Sequence, residues 1–459
     1  MSLEGAIAVH RFGLGARPGE IGRASADPRG WLKAQIAREA DQPTAPDGSA
    51  FPASGELVRQ ERAQIAQRVA FKNGQPQLKD AGPDAVKNFV APRMKIFTDE
   101  MAGRFQLGFT TARPFAEHLV WFWSNHFTVS VTAGRTLNFA GAFEREAIRP
   151  YIADSFENML LAVASHPAML VYLNNEASIG PDSPAGKNSG RGRNENLGRE
   201  LMELYSLGVD GGYSQADVIA LANILTGWGL DPDRPSGFNF YPNRHEPGEM
   251  TLRGRVYDAS LKGGIQAVRD LAHDPHTARH IATKMATYFI SDTPSAASIA
   301  RLEKSFNDSG GNLKTLAAVL IDDPAAWVPQ PRKMRSPVEY VTAGYRLLNL
   351  PASGVNAAQQ IKVAMATARA MGEFPMTASS PKGWPLTSDA WSGPDALLNR
   401  IEWAKQVGAR LPVSVNVAAL AEQGLGPLLA AATRNAMARA QTPGDALALL
   451  LCSPEFQRR

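Results

Sequence analysis

Asn194-Glu-Asn-Leu-Gly-Arg-Glu-Leu-Met-Glu-Leu-Tyr-Ser-Leu-Gly208 reads as a helix with two unlike faces. At about 100° per residue, Glu195, Asn196, Arg199, Glu200 and Glu203 fall within an arc of roughly 140°. Leu197, Leu201, Leu204 and Tyr205 fill the opposite side. Three acids and one arginine gathered this way form either a buried polar site or the solvent face of an ordinary amphipathic helix.

Outward from this stretch the same periodicity recurs and period-two alternation is rare, which makes the chain a mainly α, large helical protein. Pro28 to Glu39 and the aromatic-rich Arg113 to His126 are helices, and Ala40 to Gly55, without periodic pattern, is a surface loop. One local design appears three times, around His166-Pro167, Asp323-Pro324 and Ser453-Pro454: an apolar helix stops at a polar step, and proline opens a new turn. Proline suits a first helical position because its missing N–H would have no intrahelical partner there. The spacing is too irregular for a solenoid, so we read it as convergent helix punctuation.

The exception to helix is a small β-hairpin insertion near 237–256. Phe238 and Phe240 alternate with Asn239, a turn holds Pro247-Gly248, and His245 and Glu246 sit at the bend. The expected organisation is an N-terminal helical region (1–112), a central helical core with the hairpin (113–373), and a Pro/Gly/Trp loop with C-terminal helices (374–459).

With 459 residues and 44% hydrophobic composition, the chain can bury a large core. Its 48 Lys and Arg against 44 Asp and Glu leave a thin excess for this length, so no nucleic acid partner is implied. No transmembrane segment is expected, because the longest nearly apolar run, around Leu160 to Leu173, is broken by His166-Pro167. The start shows no basic stretch followed by a sustained apolar run. The chain is therefore read as cytoplasmic, or periplasmic if a leader was trimmed. Cys452, the single cysteine, excludes an intramolecular disulfide and sits in an apolar run, a poor setting for a nucleophile.

Several motifs fail on counting. Gly180 to Lys187 has five residues between its glycines where a phosphate-binding loop needs four. The loop beginning at Asp210 has Leu221 where a calcium loop needs a bidentate acid, and Ser214 with Asp217 reads instead as a helix cap. His276 and His280 have metal-pair spacing but lack the HExxH glutamate, so exposed or singly hydrogen-bonded imidazoles are expected. Glycines and cations in Gly186 to Arg193 suggest a lid over an anionic ligand.

Asn194 to Val209, with Gly212-Tyr-Ser-Gln-Ala-Asp-Val218 and Leu225-Thr-Gly-Trp228, resembles the signature of the bacterial family named "domain of unknown function 1800". Further matches are His10-Arg-Phe-Gly-Leu-Gly15, Trp123-Ser-Asn-His-Phe127, His166-Pro-Ala-Met169, Tyr172-Leu173, His245-Glu-Pro-Gly-Glu249, Lys333-Met-Arg-Ser-Pro-Val-Glu339 and Lys382-Gly-Trp384. The resemblance covers nearly the whole chain. It implies an envelope role and, as partner, a sulfatase-like protein encoded nearby; it carries over no activity. Asn174 and Met250 depart from the family pattern, where an acid and a lysine are usual.

The site expected from the residues lies on the central helices, with the hairpin closing over it. In this reading Glu200 and Glu203 act as base or ligands, Glu195 and His126 complete the constellation with His245, and Arg199 orients an anionic group. A divalent metal would be held by His126, Glu200 and Glu203. The function is then metal-assisted hydrolysis; the alternative is a non-catalytic helical scaffold or partner-binding protein of the cell envelope, with the same residues in a buried ion network.

Overall fold

The computed structural model describes residues 1–72, 84–350 and 356–459. Helices dominate, and those that frame the site are α1 (Asp84–Thr110), α2 (Pro114–His126), α3 (Asn196–Glu200), α4 (Gln215–Ile224), α5 (Pro275–Phe289), α6 (Pro337–Leu347) and α7 (Pro394–Ala409). One hydrophobic cluster runs from Ala6 to Phe456 and draws on all three expected regions. Among the described residues no helix is long and apolar enough to cross a membrane.

The proline steps form as expected. Each polar residue before the proline is an N-cap: His166 Nδ1 accepts from Ala168 N–H, Asp323 from Ala325 N–H, and Ser453 from Phe456 N–H. Each cap satisfies one N–H that a helix start leaves without a partner. Ser214 and Asp217 make a reciprocal capping box at the start of α4, and Ser336 with Glu339 makes another at the start of α6.

The β insertion is present but paired differently from the expectation. Phe238–Phe240 pairs back with Trp228–Leu230, and Met250–Leu252 pairs with Arg255–Tyr257, giving two separate antiparallel ribbons. The second ribbon turns at Arg253-Gly254, both at positive φ, rather than at Pro247-Gly248. Two-residue hairpin loops need that backbone hand to match strand twist. His245, between the ribbons, is buried instead of presented at a bend.

Candidate functional site

The helix predicted over Asn194 to Gly208 does not stay α-helical. After Glu200 it widens into a π turn, Leu201–Tyr205, so Glu203 leaves the register of Glu195 and Arg199. Arg199 pairs with Glu195 at 3.1 Å, and Gln215 hydrogen-bonds both; the arginine side chain is 39% exposed, which makes this a surface pair. Glu200 is half-buried. Burial, reinforced by the Glu203 carboxylate, raises its carboxyl to about 7 against the pull of Arg199.

His126 is fully buried and makes no hydrogen bond to the acids. Its Nε2 lies 3.1 Å from the Tyr205 carbonyl, and His280 Nε2 lies 3.0 Å from the Leu204 carbonyl. A carbonyl oxygen only accepts, so both imidazoles carry their proton on Nε2 and cap the end of the π turn. His245 Nδ1 likewise faces the Thr226 carbonyl at 2.8 Å. Burial lowers the pKa of all three.

Glu195, Arg199, Glu200 and Glu203 thus share one helix, while His126 and His245 are buried against the backbone carbonyls of Tyr205 and Thr226. Among the described residues no group of three or more His, Cys, Asp and Glu is placed to hold a metal, so the expected set His126, Glu200 and Glu203 does not assemble. His276 pairs with Asp274 and His280 makes its single bond, as the sequence suggests. The segment expected as a lid is partly helical (Pro184–Ser189, capped by Ser183). It is tied down beyond by Asn194 N–H to Ser178 and Ile179 N–H to the Gly192 carbonyl.

A different place gathers chemistry. A cleft with a cavity volume of about 70 Å³ lies between α1, α2, α5, the start of α6 and the segment from Glu373 to Trp391. The last segment is the Pro/Gly/Trp loop of the sequence, and it is pinned from below. Asn125 donates to the Trp384 carbonyl and accepts from Trp384 N–H, at 3.0 and 2.7 Å. Gly383, at φ +82°, lies so close that a Cβ would fall 2.4 Å from the Asn125 carbonyl. Met376, which also lines the cleft, is held at φ +60°, a conformation that costs a bulky residue about 1–3 kcal/mol and recurs at functional sites.

Two carboxyls meet at the N-terminus of α6, and their surroundings drive them apart. Glu339 Oε1 accepts from Arg459 (2.9 Å) and Tyr288 (3.2 Å) and lies 2.8 Å from His118 Nε2; Oε2 accepts from Ser336 N–H. Burial opposes its charge, but Arg459 and His118 outweigh burial and hold it well below the usual carboxylate range. Glu373 accepts one backbone bond, from Val338 N–H at 2.8 Å. Burial raises it to about 7, with Glu339 adding to the shift and Ser336, Val338 and Arg104 opposing it.

Beneath the cleft lies a sealed network that sequence reading missed. Arg149, fully buried, forks onto Glu117 (2.7 and 2.8 Å) and meets Glu144 at 2.6 Å; Glu144 also takes Arg104 Nε at 2.8 Å. These residues are scattered between 104 and 149, so no local spacing announces them. The cleft had one available signal: Trp123 to Phe127, Lys333 to Glu339 and Lys382 to Trp384, three of the segments that carry the family resemblance, all contribute to it.

No curated protein and no solved structure matches the chain. The family model described as "Protein of unknown function (DUF1800)" matches residues 7–458, and the chain belongs to that family.

Proposed function

We propose that the protein is an acid–base enzyme of hydrolytic type acting on a small molecule in the cleft, with Glu373 as its proton-transferring group. One observation carries this reading: two carboxyls share a helix start, yet Glu339 is held by Arg459, Tyr288, His118 and Ser336 and kept well below the usual carboxylate range, while Glu373 has no cation at ion-pair distance among the described residues and is raised by burial to about 7. Neighbouring acids pushed apart in this way mark acid and base roles. Glu373 then gives or takes the proton, and Tyr288 and Lys333 line the space a substrate would fill.

A second reading keeps Glu200 as the base, with Glu203, Glu195 and Arg199 around it. It draws on the similar rise of Glu200 to about 7. The test is a panel of chromogenic esters, amides and glycosides assayed with wild type, Glu373→Gln and Glu200→Gln. The expected result is a loss of 10²- to 10⁴-fold for Glu373→Gln alone, with a wild-type pH profile that bends near 7. Loss confined to Glu200→Gln would move the chemistry to the helix. Turnover unaffected by either change would remove both carboxyls from the chemistry and overturn this reading, and no turnover at all would favour the non-catalytic scaffold.

A further inference from the structure

Arg104 is 5% exposed, stacks over Trp121 with its guanidinium carbon 4.8 Å from the ring centroid, and is held by Glu144 through Nε alone. Its terminal nitrogens, at the cleft wall, make no hydrogen bond to the described residues, and they are not among the buried polar atoms left unpaired. The other cations of the cleft are engaged: Arg459 by Glu339, Lys333 by Asp292 and the Leu386 carbonyl. Behind the wall, Arg335 and Arg400 are buried with no carboxylate at ion-pair distance among the described residues, which adds positive potential to this region. A planar guanidinium fixed at one nitrogen and open at the other two is shaped to receive an oxyanion in bidentate fashion. Trp384 and Trp391 line the same cleft and pack against each other, ring centroids 6.1 Å apart and tilted by 51°, giving an apolar aromatic surface for a ring.

We infer that the ligand of this cleft is a small cyclic organic acid whose carboxylate is received by the free edge of Arg104. The inference rests on the cleft being the ligand site and names what it takes. Arg104 is placed as a binding residue, with Trp384 and Trp391 beside the ring.

The test is calorimetric titration with two matched pairs, benzoate with benzamide and glucuronate with glucose, into wild type, Arg104→Lys and Trp391→Ala at constant ionic strength. Arg104→Lys keeps the charge beside Glu144 and loses the fork, and circular dichroism checks its fold. The expected result is that one acid binds at least about tenfold more tightly than its neutral partner, a factor worth 1.4 kcal/mol. That preference should disappear in Arg104→Lys and weaken in Trp391→Ala. Equal binding of acid and neutral partner, an unchanged preference in Arg104→Lys, inorganic phosphate competing as well as the acid, or no binding of either acid would each overturn it. Turnover that depends on Glu373 but shows no preference for acids would sink this inference and leave the proposed function standing. Acid binding without turnover would do the reverse.

Discussion

The π-turn helix and the aromatic cleft carry similar inventories, several carboxyls and at least one arginine each, yet differ in how the chain supplies them. On the helix, Glu195, Arg199, Glu200 and Glu203 come from nine consecutive residues and half-face solvent. In the cleft, Arg104, Asn125, Tyr288, Glu339, Glu373 and Trp384 come from five distant segments and are held by bonds that cross between them. A local cluster is easy to see and weakly held; a convergent one is silent in sequence and tightly held.

The sharpest way to break this contrast is to remove one cation from each region. Arg149→Ala strands Glu117 in the sealed network below the cleft, and urea denaturation should show a loss of roughly 3–5 kcal/mol. A loss under about 1 kcal/mol would mean that water reaches the network and that the cleft floor is no firmer than the surface.

Next in size is the response to pH, which should run in opposite senses. His280 is lowered to about 4 by burial and by Lys284, and His126 falls well below its ordinary value. The unfolded chain takes up these protons near 6.5. The stability they hold is complete above that pH and is lost as pH falls toward 4, on the order of 3 kcal/mol for His280. Glu373 is raised, so its contribution is complete below about 4.5 and is lost as pH rises through 7; Glu200 shares that limb. Denaturation across pH 4–9 should show His280→Asn flattening the acid limb and Glu373→Gln flattening the neutral one. Identical profiles for wild type and both variants would refute these protonation states.

The smallest expected effect belongs to the feature most visible in sequence. Arg199→Ala removes a surface pair, and exposed pairs are worth little. Its cost should lie within about 0.5 kcal/mol in the same assay, and a loss above 2 kcal/mol would show that the pair is buried in solution.

Helix identity was legible wherever a local rule governs it. The caps at His166, Asp323 and Ser453, the Ser214 capping box and the burial of Leu197 and Leu201 all follow from residues within four positions of one another. The hairpin was legible as β but not in its pairing, because the signal that decides it, positive φ at Arg253-Gly254, is not confined to one residue type. Of the expected site residues, Glu200 is raised to about 7 by burial and by Glu203, while His126 and His245 hydrogen-bond backbone carbonyls, because spacing cannot say that an imidazole will spend its N–H on a backbone carbonyl. Arg104, Glu339 and Glu373 escaped notice because each is ordinary in its own neighbourhood.

The π turn is, in effect, one residue inserted into a helix, and two other helices have been built around the result. His126 from α2 and His280 from α5 each occupy a carbonyl that exists in that position only because the turn is wide. Deleting one residue to restore ordinary winding would shift both carbonyls and leave two buried imidazoles without acceptors. The wide turn therefore ties three helices to one another, and restoring ordinary winding would require changing all three together.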